Sequence, residues 1–308
     1  MNQWRIPLAA LLSALVLGSC SSAPPKSDTT TDVKQQAAQA AISGENYFQQ
    51  GRYDLALQFF TQALDANASV DNVDGVIRSR ISIAQVYLAQ GNVDAAQDML
   101  TRAREQARGV RPPLFVDSSI SLGELSLRKD DPQSALKVLQ EALDTGATGM
   151  TPLQAGVLYH DMGAAWKSAG DMRQALDWLS RALQSNLAHK LFEQAAADHY
   201  MIASVHSKNG DFPAALQSAQ QALGLDKQVE NPVGIASDLY ALGLIESKSG
   251  NTAAAYDYFQ RAYGVYSSLG ARGGIQKSLT ALISIAEGLG RSEEAQSYRR
   301  ALDRTGAQ

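Results

Sequence analysis

Six glycines, each followed five residues later by an alanine, recur along this chain at a nearly fixed interval. The pairs are Gly51 with Ala56, Gly91 with Ala96, Gly170 with Ala175, Gly210 with Ala215, Gly250 with Ala255 and Gly290 with Ala295. Asp130 with Ala135 fills the one remaining place. Successive anchors lie 40, 39, 40, 40, 40 and 40 residues apart, which makes seven units. A period of this length marks a stack of small supersecondary units, each too small to bury its own apolar face. The 308 residues therefore do not divide into two ordinary domains, as length alone would suggest.

Other positions keep the same phase. Seven residues before the anchor stand Gly44, Ala84, Gly123, Gly163, Ala203 and Gly243, with Ile283 the exception. Eight before it come Ile83, Leu122, Met162, Ile202, Leu242 and Leu282. Nine after it come Phe60, Leu100, Leu139, Leu179 and Phe259, while Ala219 and Arg299 break the run. Twelve after it stand Ala63, Ala103, Ala142, Ala182, Ala222 and Ala262, then Leu302. These are helical spacings, so each unit reads as a helix, a tight turn at the anchor, and a second helix. Glycine suits the turn because it takes the left-handed conformation without a Cβ clash. Asn92, Asp171, Asp211 and Asn251, each directly after its glycine, are placed to cap the second helix. The small residues let the paired helices approach closely, and the large apolar ones fill the space between units.

With its small residue, large apolar residue and two alanines along a helix–turn–helix, the sequence resembles the tetratricopeptide repeat family. The aromatic slot of that pattern, four residues before the anchor, holds Tyr47, Tyr87 and Trp166. The other units carry Ser126, His206, Glu246 and Ala286 there. The period exceeds the family's usual ~34 residues, and the proline that commonly ends the second helix is missing. Longer forms of the repeat, such as those of kinesin light chain, look similar. The resemblance implies an all-α solenoid, a superhelix of about seven helix-turn-helix repeats over residues 33–305, with longer helices than usual. The last segment, Ser292 to Arg304, carries Glu293, Glu294, Gln296, Arg299, Arg300 and Asp303 and reads as a polar end cap.

Ahead of the repeats the chain changes character. Residues 1–19 hold one positive charge, Arg5, and an apolar run of 12 residues from Ile6 to Leu17. That is too short for the ~20 residues of a spanning helix and fits the apolar region of a secretory signal. The ending Leu17-Gly18-Ser19-Cys20 resembles the lipobox of bacterial lipoproteins, in which the cysteine is acylated and becomes the N-terminus; a plain signal peptide is the alternative. Cys20 is the only cysteine in the chain, so no internal disulfide forms. Residues 20–32 (CSSAPPKSDTTTD) have linker composition. The resemblance implies a membrane tether at Cys20, and Ser21 in place of Asp favours the outer membrane, with the folded part facing the periplasm.

Composition excludes several functions. With 27 Lys and Arg against 31 Asp and Glu, the chain has no electrostatic footprint for nucleic acid. No phosphate-binding loop, metalloprotease pair, nucleophile elbow or reactive thiol is present, so no catalytic residue, cofactor or enzyme activity is expected. Of the histidines, His160, His189, His199 and His206, only the last two share a helix face, and no metal site is expected. Arg102, Arg104, Arg108 and Arg111 read as a solvated helix end, with an anionic headgroup or glycan contact as the alternative.

The resemblance implies that partners bind on the concave surface lined by the first helix of each pair. Family contact positions fall here on Glu45, Gln85 and Glu124 in the first three units. In units four to six they fall on His160, Lys167, Tyr200, Ser204, Ser207, Tyr240 and Ser247. The Lys and Asn pattern of the family's chaperone-tail clamp is absent. Tyr200 and Tyr240, one period apart, either form a ladder against an extended peptide or pack within the helix layer. Lys167, Lys208 and Lys248 either form a basic rim or complement the negative helix ends. The expectation is a scaffold for protein partners, with a glycan or small-ligand binder as the alternative.

Overall fold

The computed structural model describes residues 29–146 and 149–306, so the expected signal segment, Cys20 and most of the expected linker lie outside the described residues. Those residues form fourteen α-helices and no strand. In chain order they are α1 (Thr29–Gln49), α2 (Tyr53–Ser69), α3 (Val73–Ala89), α4 (Val93–Ala107), α5 (Pro112–Arg128), α6 (Pro132–Gly146) and α7 (Pro152–Ala169). There follow α8 (Met172–Ala188), α9 (Phe192–Lys208), α10 (Phe212–Gln228), α11 (Pro232–Lys248), α12 (Thr252–Ser268), α13 (Arg272–Gly288) and α14 (Ser292–Gly306). Each odd-numbered helix pairs with the even-numbered one after it, giving seven units. The 40-residue period is two helices of 17 residues, α9 and α10 for example, each followed by a three-residue turn. The extra length over a shorter repeat therefore sits in the helices. None of the described helices is long and apolar enough to cross a membrane.

The first helix begins at Thr29, four residues before the expected boundary at Val33, so the end of the linker segment is helical. Asp32 lies in its first turn, where a negative charge complements the exposed N–H groups.

The turns explain the anchors. Gly210 takes φ +79°, its N–H bonds to the Ser207 carbonyl at 3.3 Å, and the Asp211 N–H reaches back to the His206 carbonyl at 3.0 Å. This pair of bonds closes the last helical turn on a left-handed residue. Asp130, standing in for glycine, takes the same conformation at φ +58°. Asn92, Asp171 and Asp211 cap α4, α8 and α10 by accepting from the N–H of Ala95, Gln174 and Ala214. Asn251 departs from expectation: its side chain makes no cap bond. Backbone bonds from Asn251 to Glu246 and from Thr252 to Gly250 close that turn, as the matching bonds do in the capped turn at Gly91.

Packing within a pair is glycine against a large apolar side chain. A Cβ on Gly163 would lie 2.6 Å from Leu179, one on Gly123 would lie 2.7 Å from Leu139, and one on Gly243 would lie 2.7 Å from Phe259. Where the small residue is the larger Ala203, its opposite number shrinks to Ala219, and both are buried. The alanines five and twelve residues after the anchors, from Ala56 to Ala262, are fully buried. They leave no room for a larger side chain without backbone movement.

The single 39-residue step is sealed by charge. The Arg104 side chain, in a residue only 7% exposed, donates from Nε to Ser119 Oγ at 2.8 Å and pairs with Glu141. Arg108 pairs with the same Glu141, and both guanidinium groups lie on the Phe115 ring, 4.7 and 5.3 Å from its centroid. Arg111 pairs with Asp74 across the turn. Arg104 alone departs from the expected solvated helix end: Arg102, Arg108 and Arg111 are exposed, each in an ion pair at the surface.

Candidate functional site: a polar groove on the inner wall

Successive odd-numbered helices touch one another, from α1 with α3 through to α11 with α13, whereas among the described residues no two successive even-numbered helices do. The odd helices are therefore the shorter inside arc of the stack, and their free face is its concave wall. Across α5, α7, α9 and α11 this wall holds three joined depressions. The central one, about 380 Å³, shares His160 and Ala197 with a second of about 260 Å³ toward α5, and Tyr200 with a third of about 250 Å³ toward the helix C-termini.

The groove has two chemically opposite ends. Toward the helix C-termini, Lys167, Lys208 and Lys248 line one depression with Ser204 and Ser207. Lys167 Nζ donates to Ser204 Oγ at 2.7 Å and to Met201 Sδ at 3.4 Å. Burial, then the charges of Lys208 and Lys248, lower the Lys167 ammonium below its ordinary range. Toward the helix N-termini the lining is carboxylate. Glu124, Asp161 and Asp198 surround one depression, and Glu193, Asp226 and Asp238 lie in the next. Tyr200, 38% exposed, stands between the two ends.

The carboxylate end is built on polar pairs at the junction between units. His160 Nδ1 lies 2.8 Å from Asp198 Oδ1, and Asn186 Nδ2 donates to Asp198 Oδ2 at 2.7 Å. Burial opposes the charge on His160, but the bond and charge of Asp198, with Asp161 and Glu124, outweigh it and raise the imidazole. Asp161, 7% exposed, keeps Oδ2 without a hydrogen-bond partner among the described residues. Burial first and the charge of Glu124 second push it up to about 7. One unit on, Asn231 accepts from the Gly234 N–H at 3.1 Å, capping α11, and donates Nδ2 to Asp226 Oδ1 at 3.0 Å. Asp238, 2% exposed, faces the same space, and burial followed by the charge of Asp226 pushes it up to about 8. Glycines make the room: a Cβ on Gly156 would lie 2.0 Å from Asn186 Oδ1, and one on Gly234 would lie 2.0 Å from Asp226 Oδ2.

Of the residues expected from sequence, the groove brings together Glu124, His160, Lys167, Tyr200, Ser204 and Ser207. Tyr240, half-buried, is not among the residues lining these depressions, and its ring packs on Phe259 with centroids 5.3 Å apart. Ser247 is exposed near the lysine end without lining it, and Glu45 and Gln85 lie on the inner face of earlier units, Glu45 accepting from Gln49 at 2.6 Å. Sequence reasoning missed Asp161, Asn186, Glu193, Asp198, Asp226 and Asp238. The signal for Asp198 and Asp238 was present: both stand twelve residues before their anchors, one helical turn before the buried Ile202 and Leu242. An acidic residue in a core phase marks a polar seam. Among the described residues no group of three His, Cys, Asp or Glu is arranged to hold a metal ion.

A stack of paired helices with a polar inner groove defines a helical-repeat solenoid. Tetratricopeptide repeat models match residues 36–109, and again residues 81–149 and 200–271, so the chain belongs to the tetratricopeptide repeat family. No curated protein matches it by sequence. Among solved structures it is similar to aspartyl phosphate phosphatase F from Bacillus subtilis, at 12% identity over 90% of this chain and 72% of that one, with a TM-score of 0.67. It is similar also to a Rap protein complexed with competence and sporulation factor, at 16% identity over 92% and 80% of the two chains, TM-score 0.64. A third is a signal transduction ATPase with a tetratricopeptide repeat sensor from Pyrococcus horikoshii, at 11% identity, TM-score 0.68, where 89% of this chain covers 41% of that one. At these identities the likeness concerns the fold.

Proposed function

We propose that the chain is a binding scaffold that holds a protein partner, through an extended segment of it, in the groove over α5 to α11. The observation that carries this reading is the continuity of the three depressions along one wall, with carboxylates at one end and lysines at the other, a lining suited to an extended polar segment. The Rap protein of the same fold, captured in complex with competence and sporulation factor, supports the reading by analogy. Binding rather than catalysis is the activity proposed, since His160 is engaged with the buried Asp198 rather than free to serve as a base. We further propose that Cys20 is acylated and tethers the protein to a bacterial outer membrane, facing the periplasm.

Photocrosslinkers placed in cells at Tyr200 and Glu124 should capture a discrete partner, and one at Gln217, exposed on α10 behind the wall, should not. Equal capture from all three positions, or capture of cell-wall glycan in place of protein, would remove the reading. The tether is tested separately: Cys20→Ala should move the protein from the membrane to the soluble fraction, and the mass of the N-terminal peptide should report the acyl groups.

A further inference from the structure

The depression between α9 and α11 gathers three acidic side chains and is lined by no lysine or arginine. Asp226, Asp238 and Glu193 line it, and none of the three is in an ion pair with a side chain of the described residues. The histidine that also faces it, His160, is committed to Asp198. The lysines of the same groove lie at the far ends of their helices: Lys248 follows Asp238 by ten residues, ~15 Å along α11. Asp226 is held in place by Asn231 through Oδ1 and shares a side-chain hydrogen bond with the protonated form of Asp238; Asp238, 2% exposed, receives no N–H or O–H at Oδ2 from any other of the described residues.

Two buried carboxyls side at one site are costly to ionise together, and an incoming cation offsets that cost. Alone, the pair retains a proton, in keeping with Asp238 standing at about 8. The walls above the carboxyls are Tyr200, Met201 and Val233, an aromatic and aliphatic sleeve of the kind that takes the stem of a long cationic side chain. With about 380 Å³ of space, and with no three of its acidic or histidine side chains arranged to hold a metal ion among the described residues, the site suits an organic cation on a flexible stem.

We propose that this depression is a specificity pocket for a lysine or arginine side chain of the bound segment, its charged end against Asp226 and Asp238 and its stem along Tyr200 and Met201. The proposal rests on the reading of the groove as a peptide-binding site and adds the chemistry of what it selects. It also orients the segment, because the lysine end of the groove then receives an acidic or carboxylate group ~15 Å away, about four to five extended residues.

The test uses the purified protein and four pools of biotinylated heptapeptides, random except for a central lysine, arginine, norleucine or glutamate. The lysine and arginine pools should be retained roughly ten-fold more than the norleucine pool, and the glutamate pool least. Asp226→Asn with Asp238→Asn should abolish that preference, and Glu193→Gln alone should weaken it. Neutralising two remote acids, Glu293→Gln with Asp303→Asn, should leave it intact, which separates pocket recognition from the general attraction of an acidic protein. A preserved thermal midpoint in the double variant shows that folding is not the cause; should that variant unfold, Glu193→Gln carries the test. Equal retention of the lysine and norleucine pools, or a preference that survives Asp226→Asn with Asp238→Asn, overturns the pocket. In-cell capture at Tyr200 that persists in this variant would show a working groove with a different selectivity, whereas loss of capture at every inner position is the failure of the groove itself.

Discussion

Within a helix pair and between helix pairs, this chain uses two different kinds of contact. Inside a unit the contact is dry and steric, with Gly123, Gly163 and Gly243 against Leu139, Leu179 and Phe259 and buried alanines on either side. Between units four and six, the second helix of one pair meets the first helix of the next partly through polar side chains, Asn186 with Asp198 and Asn231 with Asp226. The difference teaches where stability and recognition are kept. Steric fit inside the pair fixes the repeat, and the junction between pairs, which opens on the inner wall, is free to carry chemistry.

The comparison breaks first if the dry contact is not the stronger one. Leu179 is fully buried against Gly163, and Leu179→Ala leaves a cavity that a glycine cannot refill, so a loss of ~2–5 kcal/mol is expected in denaturant unfolding. Ala175→Leu overfills the same interface and should cost ~1–3 kcal/mol. At the junction, Asn186→Ala strips one bond from the buried Asp198 and should cost ~1–3 kcal/mol. A junction variant costing more than Leu179→Ala would reverse the assignment of roles.

Turns sharpen the same contrast at smaller amplitude. Asp211 caps α10 and its side chain is exposed, so Asp211→Ala should cost ~1 kcal/mol, the ordinary value of a cap. Asn231 caps α11 and also holds Asp226, so Asn231→Ala should cost more than Asp211→Ala and reduce selectivity for the basic pools. Asn251, which makes no cap bond, should tolerate alanine with a change of a few tenths of a kcal/mol at most. Equal costs at Asp211 and Asn231 would mean that the second bond contributes nothing.

The repeats, their period and their boundaries were legible because close packing leaves the same mark in every unit. A glycine seven residues before the anchor and a large apolar residue nine after it are a single contact seen twice. The start of α1 was less so, since Thr29, Thr30 and Thr31 are poor interior helix formers whose helicity depends on position rather than composition. The groove was half legible. Residues that merely face it, Lys167, Tyr200 and Ser204, fall on the inner face of the helix by counting. Tyr240 counts to the same face, yet its ring packs on Phe259 of the paired helix, a contact that counting along one helix does not reveal. The acids that give the groove its character stand in a core phase, where a count along the helix expects an apolar residue. Arg104, read as solvated, is buried because Glu141 reaches it from 37 positions away, a distance no local pattern spans.

The dependence on pH is the test most specific to the junction. Asp238 stands at about 8 and Asp161 at about 7, far above the ~4 of an unfolded aspartate, so between those values the folded chain holds more protons than the unfolded one. Stability then falls as pH rises through that window. His160, raised above its ordinary value, acts in the same direction, because its stabilising charge is complete below the unfolded value and is lost as pH climbs through the folded one. His199, lowered by burial, acts the opposite way. Without peptide, the thermal midpoint should be higher near about pH 5 than near about pH 8.5, and Asp161→Asn with Asp238→Asn should flatten the profile by removing both carboxyls. The intra-pair variant Ala175→Leu should lower the curve without changing its slope, since that interface holds no titrating group. A midpoint that rises over this range, or a slope left undiminished by both amide substitutions, would mean that the protons are stored elsewhere than on Asp161 and Asp238; the part due to His160 is expected to remain.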